Sequence, residues 1–418
     1  MRSHLANLEP PGLVRVRDAR AASAIPQGAR RGLALLGRLA RGNLQLHLPD
    51  GSCREFGSCT SPSTSLRVHD WRAFERTLQS GDIGFAESYL DGEWSADDLV
   101  AVIELFLANR EYLETLLYGS WWGRAAYRVR HLVRRNTRTG SRRNVQAHYD
   151  LGNDFYAAML DPGMSYSSAW FDGISNGDLQ DAQRAKIWRA LTVAGVKPGS
   201  RVLEIGCGWG ALAEVAARDF GAHVTGITLS KEQLAYARAR VVDAGVASRC
   251  DLQLLDYRDL PRGATYDAVV SIEMFEAVGL EYWDRFLQTL HTCLKPGARA
   301  CIQSITIRDD LFARYRNSTD FIQQYIFPGG LLPSPETFGQ RVRRCGLEEL
   351  ERFAFGPDYA RTLSHWRENF HMRRKAIRHL GYDDRFLRLW DFYLAYCQAA
   401  FSQGSTDVMQ FLLRRPSS

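Results

Sequence analysis

The sequence has no pair of cysteines at C-x-x-C spacing; its eight cysteines are scattered over 418 residues. Neither a zinc site nor a disulfide framework is therefore indicated as an organising device. No apolar run approaches the about 20 residues that a bilayer-spanning helix needs. The opening "MRSHLANLEPPG" lacks a signal-peptide apolar core. These absences predict a cytoplasmic protein. Acid is missing where base is dense: residues 123–144 hold eight arginines and no Asp or Glu, in a chain whose net charge is only +6. Such a run fits a solvated linker face, a nucleic-acid contact or a membrane-surface contact, and composition alone ranks the solvated face first. An anionic bilayer attracts basic residues by about 1 kcal/mol each near its surface.

What is present is an ordinary globular composition, 45% hydrophobic and 24% charged, in a chain long enough for two or three domains. Residues up to Ile25 are broken by Pro and Gly. "NLQLHLPDG" alternates apolar and polar residues into a Pro-Asp-Gly turn, which predicts a strand and hairpin. "DWRAFERTLQSGDIGFAESYLDGEW" predicts a helix, a glycine break and a second helix, and "SADDLVAVIELFLANREYLETLLYGSWW" a further helix with a Ser N-cap. Together they make a small α+β domain, residues 1–120, followed by an arginine-rich linker, 121–145, and a larger domain, 146–418. In the larger domain strands ("RVLEIGC", "HVTGITL", "DLQLLDY", "YDAVVSI", "ARACIQSITI") and helices occur in turn. That order implies a mostly parallel sheet covered on both faces, with its ligand site at the carboxyl ends of the strands. The tail after Pro335 reads as helix-rich and aromatic, closing over the sheet.

"VLEIGCGWG" stops an apolar run at Gly206, Gly208 and Gly210. Bare backbone there lets a ligand approach the main chain; the plainer reading is a turn needed for packing alone. The spacing is neither the dinucleotide G-x-G-x-x-G nor a phosphate-binding loop, so a nucleoside without a polyphosphate fits better. Cys207 reads as a small filler rather than a nucleophile. The next strand ends in Thr228, Leu229, Ser230 and Gln233, without the carboxylate that a nicotinamide ribose prefers. At the following strand end, Asp256 is placed to accept from an adenine amine and Tyr257 to stack on its ring. "SIEMFEAVG" sets Glu273 and Glu276 three apart at the expected start of a helix. Acids there either stabilise a first helical turn or hold a cation or base at the mouth of a cleft.

The runs "NVQAHYDLGNDFYAAMLDPGMSYSSAWF", "VLEIGCGWGALAE", "GITLSKEQLAYA", "DYRDL", "MFEAVG", "FIQQYIFPGGLLPS" and "FGPDYARTLSHW", between residues 144 and about 400, resemble the cyclopropane fatty acid synthases and their mycolic acid relatives. The resemblance implies a class I, Rossmann-like methyltransferase fold with a mostly parallel seven-stranded sheet, and a lipid-binding-like amino-terminal domain. It implies methyl transfer from S-adenosylmethionine to a cis double bond of an unsaturated phospholipid chain, a carbocation, and ring closure to a cyclopropane. Such a cation survives only in a dry, aromatic-lined site. In the family the departing proton goes to a bound bicarbonate.

Carried over position by position, Tyr166, Ser167, Gly206, Gly208, Gly210, Thr228, Leu229, Gln233, Tyr257, Arg258 and Ile272 would line the S-adenosylmethionine site. Glu276, Tyr359 and the Ile305 backbone would bind bicarbonate. Ser168 stands where the family's usual cysteine is, Gln303 where its usual histidine is, and Ala277 where a second histidine often follows the glutamate. Both Ser168 and Gln303 retain hydrogen-bonding capacity toward an oxyanion. Plant cyclopropane synthases are similar at these two positions, so ring closure stays open; the rival outcome is a methyl- or methylene-branched, or furan-precursor, chain. The resemblance further implies a peripheral enzyme on the inner membrane face, and a homodimer. A nonenzymatic lipid-binding protein is disfavoured by the intact glycine loop and Glu276. A nucleic-acid methyltransferase is disfavoured because no Asn/Asp-Pro-Pro-Tyr/Phe motif is present.

Overall fold

The computed structural model describes residues 16–17, 25–57, 63–113, 151–171, 177–261, 263 and 265–417. The arginine-rich linker of residues 121–145 and the first residues of "HYDLGNDFY" lie outside them. Two compact units are present, Met1–Ala125 and Ala126–Ser418.

In the first unit five strands, β1 (Val16–Arg17), β2 (Asn43–His47), β3 (Cys53–Gly57), β4 (Ser63–Val68) and β5 (Trp94–Ala96), form one sheet in the order β1-β3-β2-β4-β5. β2 and β3 are the hairpin that the Pro-Asp-Gly turn predicts, with Leu46 opposite Arg54. Helices Arg72–Ser80 and Asp82–Leu90 are separated at Gly81, whose φ of 63° breaks the run. The next helix, Leu99–Ala108, is capped by Asp98, which accepts from the Ala101 N–H. The expected Ser N-cap is thus corrected: Ser95 is in edge strand β5, paired with Arg67, and cannot also cap a helix.

The second unit carries seven strands: β6 (Arg201–Ile205), β7 (His223–Thr228), β8 (Cys250–Leu254), β9 (Tyr266–Ile272), β10 (Leu294–Ile307), β11 (Glu348–Ala354) and β12 (Thr406–Arg414). Their order is β11-β12-β10-β9-β6-β7-β8, with β10-β9-β6-β7-β8 parallel and β11 and β12 antiparallel at one end. This is the α/β class I methyltransferase arrangement. The tail after Pro335 is therefore not purely helical. The alternation of β12 is masked in sequence because Val408, Phe411 and Leu413 are all buried within a half-polar run.

Period-two alternation makes the sheet two-sided. Val202, Ala268, Val270 and Cys301 point to the face covered by helices Leu179–Val193, Ala211–Arg218 and Lys231–Asp243. Leu203, Val269, Ala300 and Ile302 point to the other, under helices Trp283–Cys293 and Pro335–Arg344. The chain leaves β6 toward β7 on one side and returns to β9 on the other. That reversal opens a crevice at the carboxyl ends of β6 and β9, where the glycine loop and the two glutamates lie.

Candidate active site

The three glycines of the loop have different duties. All have positive φ: 89° at Gly206, 49° at Gly208 and 85° at Gly210. A Cβ on Gly206 would come within 3.0 Å of Met274 Cγ, and one on Gly210 within 2.9 Å of Ala237 Cβ, so both are required by packing. A Cβ on Gly208 would meet nothing within 4 Å. Gly208 is the point where bare backbone faces space that a ligand can take, so packing explains two of the glycines and not the third. Cys207 is buried, and burial raises its thiol well above the usual range, which keeps it protonated.

Beside the loop, the end of β7 presents only neutral groups. Thr228 Oγ1 donates to Gln233 Oε1 at 3.0 Å, and Ser230 caps the next helix by accepting from the Gln233 N–H. At the end of β8 the structure corrects one expectation. The Asp256 carboxylate is buried against Arg258, with Nη2 at 2.5 Å and Nε at 2.8 Å, so it is a structural ion pair rather than a free acceptor for adenine. Tyr257 packs edge-on to Phe286 at 5.4 Å, and burial pushes its hydroxyl up to about 12. Leu229, just after β7, and Ile272, at the end of β9, are half-buried on either side of β6.

From the loop a chain of aromatic rings leads into the site. Trp209 Nε1 donates to Asn153 Oδ1 at 2.8 Å, tying the loop to the "GNDFY" segment. Trp209 meets Tyr156 at 5.0 Å, Tyr156 meets Tyr166 at 5.3 Å, and Tyr166 meets Trp366 at 5.3 Å. Trp366 meets Tyr359 at 6.1 Å, and Tyr359 meets Phe401 at 4.4 Å. The Tyr166 and Tyr393 hydroxyls share a hydrogen bond at 2.8 Å. Such rings exclude water and present π faces to a cation.

The wall ends at two glutamates. Phe275 between them is fully buried and held by Trp283, Phe286 and Phe338 at 5.1–5.3 Å, which fixes the turn. This turn is a single 3-10 turn, Phe275–Ala277, and not the expected helix start. Glu273 and Glu276 are surrounded by protein yet half-buried, as befits the wall of a deep cleft. Glu273 Oε1 accepts from the Ser168 N–H and from Gln303 Nε2, both at 2.8 Å, and Oε2 accepts from the Tyr359 hydroxyl at 2.7 Å. Glu276 Oε1 accepts from the Ile305 N–H. The five residues expected around an anion, Ser168, Gln303, Ile305, Tyr359 and Glu276, are thus brought together. The Ser168 hydroxyl is not part of this group, because it donates to the Ala169 carbonyl at 2.9 Å.

Electrostatics separates the two acids. Burial raises Glu273, while Lys186, Ser168, Tyr359 and Gln303 oppose the rise by favouring its anion. Burial and then the charge of Glu273 push Glu276 up to about 8, against weaker support from Ile305. Four groups thus favour the Glu273 anion, whereas Glu276, pushed up to about 8, holds its proton at neutral pH. Lys186, on the helix Leu179–Val193, is lowered to about 8 by burial and donates to Ser167 Oγ at 2.6 Å. Burial and Glu273 raise Tyr359 well above the usual phenol range.

A bicarbonate does not fit this arrangement. Each donor it would use already points at a carboxylate oxygen of the chain itself, and its charge would be set beside Glu273. S-adenosylmethionine does fit, by the open cradle at Gly208 and the neutral hydroxyl and amide groups at the end of β7.

Sequence reasoning overlooked the support around Glu273. Gln410 Nε2 donates to Gln303 Oε1 at 3.1 Å and Arg189 Nη1 to Gln410 Oε1 at 2.6 Å, which orients the Gln303 amide toward Glu273. A signal for Lys186 existed: it shares one helix stripe with Leu179, Ala182, Ile187 and Ala190, where a lysine is out of place.

Residues 136–411 match the family described as mycolic acid cyclopropane synthetase. A tuberculostearic acid methyltransferase of Mycobacterium tuberculosis is 40% identical over 415 residues, covering 94% of this chain and 95% of that protein. A cyclopropane-fatty-acyl-phospholipid synthase of Escherichia coli K12 is 35% identical, covering 85% of this chain and 89% of that protein. The solved structure of a mycolic acid cyclopropane synthase complexed with SAH and CTAB superposes with a TM-score of 0.61 at 32% identity, covering 65% of this chain and 98% of that one. The chain belongs to the mycolic acid cyclopropane synthetase family of S-adenosylmethionine-dependent methyltransferases.

Proposed function

We propose that this protein transfers the methyl carbon of S-adenosylmethionine to a cis double bond in an unsaturated phospholipid acyl chain. The observation that carries the reading is the unbroken aromatic wall between the open glycine loop and the paired glutamates. When bound, S-adenosylmethionine supplies an electrophilic methyl. Gly208 gives it main-chain access, while Thr228, Leu229 and Gln233 bound the ribose side, Tyr257, Arg258 and Ile272 the adenine side, and Tyr166 and Ser167 the reactive end. The rings of Tyr166, Trp366 and Tyr359 shield a cationic chain from water, and the glutamates stand where its proton must leave.

The product favoured here is a methylene-branched chain. Gln303 and Ala277 stand where the family usually has histidines, which changes the proton-transfer options around the site, and the relative matched over 94% of this chain is named a methyltransferase. A saturated branch would need a hydride from a separate reductant. Ring closure is the second reading, favoured by the Escherichia coli synthase at 35% identity. In this reading the eight arginines of residues 123–144 meet an anionic lipid surface on the cytoplasmic face. Among the described residues no helix is long and apolar enough to cross a membrane.

Proton NMR of acyl chains recovered after incubation with monounsaturated phospholipid vesicles separates the products. Exomethylene protons in the alkene region are expected; upfield cyclopropane protons would establish ring closure, and an unchanged chain would refute the function.

A further inference from the structure

The donors around Glu273 hold it as they would hold a bound anion. Two N–H groups, from Ser168 and Gln303, meet one oxygen and the Tyr359 hydroxyl meets the other. A side-chain carboxylate and bicarbonate present the same O–C–O edge, so donors set for one are set for the other. The backbone supports this placement at a cost. Glu273 has φ 48°, a left-handed conformation that is strained for any residue other than glycine. Its N–H donates to the Gln303 carbonyl at 2.8 Å, so the strained residue is fixed to the strand that carries one of its own donors. Strain of this kind persists where the surroundings over-determine it, and it clusters at functional sites.

We propose that the Glu273 carboxylate occupies the anion position itself and is the resident proton acceptor, so that the reaction runs without bicarbonate. The proposal rests on the alkene-methylation reading above. After the methyl has bonded to one alkene carbon, the neighbouring carbon is cationic, and a hydride shift moves the charge to the branched carbon. A C–H bond of the added methyl then breaks. Its electron pair becomes the second bond of the exomethylene, and the proton bonds to a Glu273 oxygen, turning carboxylate into acid. For ring closure the same proton leaves without the hydride shift, and the pair closes the third C–C bond. The product is neutral in either case, and the acid returns its proton to solvent once the chain departs. Lys186, Glu276 and Tyr359 are the charged or titratable groups facing Glu273. Lys186 and Tyr359 favour its anion, and the charge of Glu273 in turn raises Glu276.

The test compares wild type with Glu273→Gly and Glu273→Gln. Glycine suits φ 48°, so it relieves the strain while opening the anion position; glutamine keeps the shape without the base. Binding of isotope-labelled bicarbonate is read by NMR line broadening, and methyl transfer to vesicles is assayed in carbonate-free buffer with and without added bicarbonate. The expected result is no bicarbonate binding and bicarbonate-independent turnover in wild type, with binding in Glu273→Gly. Added bicarbonate should restore Glu273→Gly turnover by at least about tenfold, within the 10²–10⁴ that a proton acceptor contributes, and should do nothing for Glu273→Gln. Bicarbonate bound by wild type, wild-type turnover that falls in carbonate-free buffer, or no binding by Glu273→Gly would overturn the proposal. If wild type methylates no lipid at all, the function reading fails, while the binding comparison still decides whether Glu273 fills an anion position.

Discussion

Glu273→Gln slows turnover by about 10²–10⁴-fold, the range that a positioned proton acceptor contributes, and leaves affinity for S-adenosylhomocysteine unchanged. The amide keeps the size of the carboxylate and its contact with Tyr359, so thermal unfolding monitored alongside should move little. Glu276→Gln is the informative contrast. Burial and the Glu273 charge push Glu276 up to about 8, so at neutral pH it already carries a proton and an amide resembles it closely. Most turnover is therefore retained there. The pH dependence has a definite sign. Wild-type rate rises as Glu273 ionises, at a pH above the ordinary glutamate value of 4.5 because burial raises it. Glu276→Gln keeps that rise and removes the second ionisation near pH 8. Comparable losses in both variants would mean that the two acids act as one unit and that the division of labour drawn here is wrong.

Gly208→Val is expected to weaken S-adenosylhomocysteine binding by about 100-fold, roughly 2.7 kcal/mol. A Cβ there meets no protein atom within 4 Å, so the side chain projects into the space assigned to the ligand. Its positive φ alone costs about 1–2 kcal/mol of stability, which a second variant isolates. Gly245 has φ 70° and equally open surroundings, but it follows the helix Lys231–Asp243 at the end remote from the strands' carboxyl edge. Gly245→Val should show the stability loss without the binding loss. Calorimetry on both separates the effects, and equal affinities would remove the loop from the ligand site.

Much of this arrangement is legible in the residues because local signals and tertiary structure agree. The glycine loop, the neutral end of β7 and the strand–helix alternation all follow from short-range pattern. What could not be read is non-local. Asp256 reads as an open acceptor until its neighbour Arg258 folds back on it. The strands β11 and β12 are hidden because antiparallel pairing late in a chain leaves little periodic trace among aromatic helices. Glu273 is the instructive case. As one of two acids three apart it looked like a helix stabiliser, and its role emerges only when Ser168, Gln303 and Tyr359, from three distant parts of the chain, converge on it. The resemblance points to Glu276 and to a captured anion, and of the departures from the family pattern it is Gln303 whose side chain meets Glu273.

The claim on which everything depends is carbon–carbon bond formation at a lipid double bond. Isotope-labelled methyl from S-adenosylmethionine, followed by carbon NMR of the recovered phospholipid, tests it most directly. The label is expected on a carbon bonded to a former alkene position of the acyl chain. Label on a head-group nitrogen or oxygen, or in added nucleic acid with none in lipid, would contradict it.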